Sequence, residues 1–304
     1  MATVNTLMYQ AVWENKLAQR LNKPQNWQDV NDVVYTDTQT YNFPLISTSN
    51  EPPVSQTYLT AATDRSDTTK VIPFITMTQT NQTLSIVTTE IASAYLDFAD
   101  QAQSNYAKWA DIGSLLGKKI GERMEGVSLG NHASWTNFGD TGAGVLGLAD
   151  TQITVSATNI DDIIRGIIEQ INTANGFELY NENGGFCVWR PADWTFLVQF
   201  MQANGFNFAD EALRDGGRGR IGKETMGLYH YVSTGHTATH LMAGVRKVQK
   251  LGILSSTYGK TFKADMPASS TAGSLSGSQI HTRADYGLLV PTNMLPVLFD
   301  VRVV

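Results

Sequence analysis

Apolar side chains recur three or four residues apart from Ile91 to Met124, through Tyr95, Phe98, Ala102, Tyr106, Trp109, Ile112, Leu116 and Ile120. That spacing puts them on one stripe and predicts a helix over about 89–125, roughly 50 Å long at about 1.5 Å per residue. Its charges, among them Asp97, Asp100, Lys108, Asp111, Lys118, Lys119, Glu122 and Arg123, exclude a membrane span. Gly113, Gly117 and Gly121 fall four apart, and each costs about 1 kcal/mol relative to alanine in a helix. Either their shared face admits close backbone approach, or the helix bends or breaks there.

Before this stripe the pattern is different. Leu7, Met8, Ala11, Val12, Leu17 and Leu21 fit a short amphipathic helix ending near Pro24, an arm that packs on something else. Threonines crowd 36–89, Pro44, Pro52, Pro53 and Pro73 interrupt them, and Thr76-Met77-Thr78 and Thr83-Leu84-Ser85-Ile86 alternate with period two. This predicts extended hairpin chain with little core of its own, whose edges need a neighbouring surface.

After the glycine-rich connection 139–144, helices and strands alternate. Asn159 or Thr158 is expected to cap a helix with Ile160, Ile163, Ile164, Ile167, Ile168 and Ile171 inward and Asn175-Gly176 at its end. Gly185 to Arg190 reads as a buried strand, and Pro191 opens a helix closed by Asn204-Gly205. Strands are expected at 151–155, 228–233, 240–245, 253–262, 279–283, 288–290 and 296–304, with a mobile loop over 264–279. The sum is an α+β chain with a mixed or antiparallel sheet.

Composition narrows the function. At 304 residues and 42% hydrophobic content the chain can build a sizeable core. A formal charge of -6 gives no global basic field for gripping nucleic acid. The single cysteine, Cys187, sits in the apolar run Phe186-Cys187-Val188-Trp189, which excludes an intrachain disulfide and reads as a buried small hydrophobe. The first residues lack a signal-peptide pattern, and no run of about 18 apolar residues occurs, so neither export nor membrane insertion is expected.

Motif-level chemistry is sparse. Gly142, Gly144 and Gly147, and again Gly217, Gly219 and Gly222, match G-x-G-x-x-G, but neither lies between a strand and a helix, as a dinucleotide site requires. Gly217 to Lys223 resembles a phosphate-binding loop, yet Glu224 stands where a magnesium-binding hydroxyl belongs, leaving a nucleotide-binding enzyme as the rival reading. Arg214, Arg218, Arg220 and Lys223 form a basic cluster suited to an acidic partner surface or to solvent. His236 and His240 have metal-ligand spacing for a helix, but their surroundings predict a strand, where they lie about 13 Å apart. Lys70, the only lysine between Lys23 and Lys108, could form an isopeptide bond with Asn293 if a desolvated carboxylate such as Asp300 took the proton. No catalytic residue, cofactor or metal site is expected.

The element order resembles the major capsid proteins of tailed bacteriophages, the Hong Kong ninety-seven type of fold. Leu96-Asp97-Phe98-Ala99-Asp100-Gln101-Ala102-Gln103-Ser104 is similar to the start of that family's spine helix. Phe186 to Trp194 resembles its strand-to-helix step in the axial domain, and Ile280 to Tyr286 its returning strand. The resemblance implies an N-terminal arm over 1–42, an extended β-hairpin loop over 43–88, and a peripheral domain with the spine helix over 89–128. It implies an axial domain over 129–252 and return strands over 253–304 that complete the peripheral domain. It further implies a virion shell subunit, assembled in the host cytoplasm into pentamers and hexamers of an icosahedral head around double-stranded DNA. Partners implied are the chain itself, a portal protein, a separate scaffolding protein where one is needed, and a decoration protein. Lys70, Gly113, Gly117, Gly121, Arg218 and Arg220 become assembly candidates. The same fold builds bacterial encapsulin shells, which is the alternative within this reading.

Overall fold

The computed structural model describes residues 25–46, 79–97, 109–140, 146–147, 151–205, 224–235, 239–266 and 277–304. The expected amphipathic helix at 7–21, Lys70, the basic cluster at 214–223 and His236 lie outside the described residues.

A five-stranded sheet is organised around one long strand, β12 (Gly277–Leu289). On one side β12 runs antiparallel to β4 (Thr88–Asp97) along Gly277 to Tyr286. Its other side takes β11 (Thr261–Met266) and then β10 (Lys250–Leu254), and β1 (Asp32–Thr36) adds parallel to β10. The long helix α2 (Trp109–Gly130) lies across this sheet. Ile112 and Leu116 pack on Ile280 with Ala92 and Ala94, while Ile120 and Met124 join Trp27, Leu251, Ile253, Ala284 and Tyr286. Trp27 comes from the single-turn helix α1 (Trp27–Val30).

The predicted helix over 89–125 therefore gives way to a strand up to Asp97, and the described helix runs from Trp109, with 98–108 outside the described residues. Thr88 to Asp97 form a strand because the segment also carries a period of two, with Ala92 and Ala94 turned to the helix and Ile91, Ser93 and Tyr95 turned outward. Thr88, Thr89 and Ile91 suit a strand, and ten consecutive pairings with β12 decide the ambiguity. Ile91 and Tyr95, expected in the core, are 58% and 44% exposed.

A six-stranded sheet has the order β6 (Leu146–Gly147), β5 (Thr136–Asp140), β13 (Leu298–Arg302), β9 (His240–Val245), β7 (Gly185–Trp189), β8 (Leu228–Val232). Every residue of β7 is buried, Cys187 included, as its continuous apolar run predicts. Helix α3 (Ile160–Thr173) buries Ile160, Ile163, Ile164, Ile167 and Ile171 against this sheet; a short unpredicted helix α4 (Phe177–Asn183) follows, and α5 (Pro191–Ala203) starts at Pro191. Asn159 holds the N-cap position of α3, but its side chain turns back, accepting the Ser156 amide at 2.9 Å and donating to Thr154 O at 2.8 Å.

Other expectations change in detail. The strand expected at 151–155 is one bridge, Ile153 to Val303. The stretch 253–262 contains a turn between β10 and β11, both ends of the expected 264–279 loop are paired strand, and 279–283 and 288–290 belong to one strand. The division at 252/253 does not follow the sheets, since β10 straddles it and β13 lies in the second sheet, between β5 and β9.

The expected hairpin is present at its base. Strands β2 (Thr40–Ile46) and β3 (Gln79–Ser85) pair antiparallel from Thr40 with Ser85 to Ile46 with Gln79. Where β3 leaves the hairpin it crosses the first sheet, burying Leu84 and Ile86. Gly252 and Gly287, partners across β10 and β12, make room for the crossing. A Cβ on Gly287 would stand 2.0 Å from Ser85 O, and one on Gly252 2.6 Å from Leu84 Cδ2.

Candidate assembly surfaces and buried polar junctions

Among the described residues, no other backbone approaches the glycine face of α2. A Cβ at Gly113 would meet Thr261 Oγ1 at 3.0 Å and one at Gly121 would meet Gln25 Oε1 at 2.4 Å, both side-chain atoms. Gly117 has nothing among the described residues within 4 Å and borders an open depression of about 540 Å³ with Gly113, Ser114, Gly259, Thr261, Lys263 and Ile280. The three glycines thus do different things, and the helix runs through them unbroken.

The outward face of β4 is an apolar stripe continuing from the hairpin base: Val87 is 81% exposed, followed by Ile91 and Tyr95. Among the described residues β4 pairs with β12 alone.

The C-terminal half of α2 is tied down by buried polar groups. Glu125, 1% exposed, accepts the Asn26 amide at 2.8 Å, and Asn26 Nδ2 donates to Val232 O at 3.0 Å. Burial raises the Glu125 carboxyl above the ordinary glutamate range, against the lowering effect of its hydrogen bonds. Gln249 donates to Asn31 Oδ1 at 2.8 Å and Ser128 O at 3.0 Å while accepting from Asn131 and from Trp135 Nε1. The start of the first sheet, the helix end and the second sheet are therefore joined by hydrogen bonds whose loss would leave buried groups unsatisfied.

His230 is a core histidine. Its Nδ1 accepts from Trp189 Nε1 at 2.9 Å and its Nε2 lies 2.9 Å from Thr225 O, an arrangement that needs the neutral ring with its proton on Nε2. Burial lowers its pKa to about 4. Burial pushes the Cys187 thiol up, consistent with a packing role.

His240 lies on β9, as its surroundings predict, and its close imidazole neighbour is His132, on the 3₁₀ turn Asn131–Ser134 after α2; the two ring centroids are 4.5 Å apart. Asp300, on β13, lies between them, with one carboxylate oxygen 2.7 Å from His240 Nδ1 and the other 3.1 Å from His132 Nδ1. Asp300 thus faces the two histidines, and Asn293 is exposed on the turn after β12. That turn is linked to the hairpin by Gln82 Nε2 donating to Thr292 Oγ1 at 2.6 Å. Sequence reading missed this cluster because its members lie far apart in the chain; the available signal was Asp300, a lone acid inside the apolar run Leu298-Phe299-Asp300-Val301.

Of the two glycine motifs, Gly147 ends the two-residue β6 and no helix follows it directly, while Gly217, Gly219 and Gly222 lie outside the described residues. No described helix is long and apolar enough to cross a membrane.

No protein-family model and no curated protein matches the sequence. A structure from Mycobacterium phage Che8 superposes with a TM-score of 0.64 at 12% identity, covering 96% of this chain and 96% of its own. The capsid structure of the cyanophage P-SCSP1u does so at 0.59 and 11% identity, covering 98% of this chain and 93% of its own. The chain has the phage capsid fold. The asymmetric unit of the bacteriophage PhiM1 mature capsid matches it too, with a TM-score of 0.58, 13% identity and 96% of this chain covered.

Proposed function

We propose that the protein is a major capsid subunit that self-assembles into pentamers and hexamers of an icosahedral phage head enclosing double-stranded DNA. The observation that carries this is agreement in fold with phage capsid structures along nearly the whole chain. In this reading α2 is the spine helix, the first sheet is the core of the peripheral domain, and the second sheet, completed by β13, is the core of the axial domain. The hairpin and the residues between its strands, Lys70 among them, reach across a neighbouring subunit. The exposed stripe Val87, Ile91 and Tyr95 supplies apolar surface for that neighbour. Gly117 and the depression beside it accept a neighbour's side chain, and Arg218 and Arg220 face a symmetry-related subunit.

The net charge of -6 suits a shell that encloses DNA with weak, non-specific contact. A portal protein and a separate scaffolding protein are the expected further partners, with a decoration protein on the outer surface. The protein has no enzymatic role in this reading. Electron microscopy of the purified chain at rising concentration tests it: closed shells or capsomer rings are expected, and a chain that stays monomeric throughout refutes it.

A further inference from the structure

We propose that His132, His240 and Asp300 form a binding site for one divalent transition-metal ion, with zinc the best match. The three residues come from separate elements, the 3₁₀ turn after α2, the first residue of β9 and the middle of β13. They are 6%, 8% and 2% exposed, and one ligand atom from each lies within 4.8 Å of the others. Tetrahedral zinc holds nitrogen and oxygen ligands at about 2.0–2.1 Å, which puts ligand atoms roughly 3.3 Å apart. The separations of 2.7 Å and 3.1 Å from the Asp300 oxygens to the two Nδ1 atoms both fall short of that spacing. Small rotations of the rings open the space for an ion.

The donor chemistry agrees, because two imidazoles and a carboxylate suit zinc and related divalent ions and leave one position for water. Electrostatics favours it too. Asp300 is a buried carboxylate with one oxygen hydrogen-bonded to His240 Nδ1 and the other facing His132 Nδ1, and Arg302, two residues along β13, is paired with His240. A dication between the rings would add to the positive charge that compensates this buried anion. Each neutral ring keeps its proton on Nε2 while Nδ1 binds the ion. The two histidine side chains retain 8% and 10% exposure, which gives the ion and its water a way in. Bound metal would fasten the end of α2 to two strands of the second sheet.

The test uses the full chain stripped with EDTA, then titrated with zinc or cobalt(II) and checked for metal content by mass spectrometry. One equivalent per chain, visible cobalt ligand-field bands and an upward shift in melting temperature are expected. His132→Gln, His240→Gln and Asp300→Asn should each weaken binding at least about tenfold, with circular dichroism reporting whether the fold is retained. Failure of the wild-type chain to take up an equivalent overturns the proposal, as does undiminished binding by all three folded variants.

Discussion

Gly287→Ala tests whether the hairpin is anchored by its crossing of the first sheet. The new methyl carbon would stand 2.0 Å from Ser85 O, 2.8 Å from Ser85 C and 3.3 Å from Ile86 Cα, all backbone atoms. A carbon–oxygen contact settles near 3.3 Å, so the crossing segment has to rise by roughly 1.3 Å. That lifts Leu84 and Ile86, now 0% and 4% exposed, out of their contacts on the sheet. Full burial of such a side chain contributes about 1.5–3 kcal/mol. Losing half of it at both positions costs about 1.5–3 kcal/mol, while restricting the unfolded chain returns about 0.4–1 kcal/mol. A net loss of about 1.5 kcal/mol is expected, concentrated at the hairpin base. Gly252→Ala should cost less, because its methyl would meet the movable end of the Leu84 side chain at 2.6 Å. Urea denaturation measures the global effect, and hydrogen exchange measures the local one at the Ile86 amide, which donates to Gln39 O at 2.8 Å. A variant within about 0.5 kcal/mol of wild type with an equally protected Ile86 amide would refute the anchoring argument.

Deleting 47–78 and joining β2 to β3 should leave a soluble, folded subunit that forms no shells in electron microscopy; normal shells would remove the bridging role of the loop. Ile91→Lys with Tyr95→Ser should change the subunit's stability by no more than about 0.5 kcal/mol, since both side chains face outward, yet reduce assembly measured by light scattering. Glu125 has its pKa raised by burial, so its contribution is most favourable below the unfolded value of 4.5 and is lost as pH rises through the folded pKa. Glu125→Gln should abolish that part of the decline in urea midpoint with rising pH, and an unchanged profile would count against it. His230 runs the other way: its pKa is lowered from 6.5 to about 4, so stability is lost as pH falls between those values, by roughly 3 kcal/mol. His230→Gln should flatten this acid limb, and an equally steep limb in the variant would assign it to other groups.

The fold was legible where one period ruled. The isoleucines of α3 allow no strand reading, and Phe186 to Pro191 marks a buried strand running into a helix start, so both were placed correctly. Residues 91–95 carry periods of 3.6 and 2 together, and pairing with a strand nearly two hundred residues later chose between them. Local pattern holds no trace of that partner. The Gly252–Gly287 pair was invisible for the same reason, since a glycine needed for a crossing looks like any other until the crossing chain is in place. For the candidate sites, Gly113, Gly117 and Gly121 were recognised as one face, but what covers each depends on Gln25 and Thr261, which no spacing rule connects to them. His132 and Asp300 share this property with respect to His240.

The position of β13 has a consequence for synthesis. Its neighbours in the second sheet are β5 and β9, both of which leave the ribosome well before it. Until Leu298 to Arg302 are made, these two strands flank an empty lane, and neither Phe299 nor Val301 is there to fill the space between the sheet and its covering helices. The nascent chain cannot complete its core, and long-range closure of this kind is slow. A chain built this way withholds its finished core until Leu298 to Arg302 have been made, long after β5 and β9.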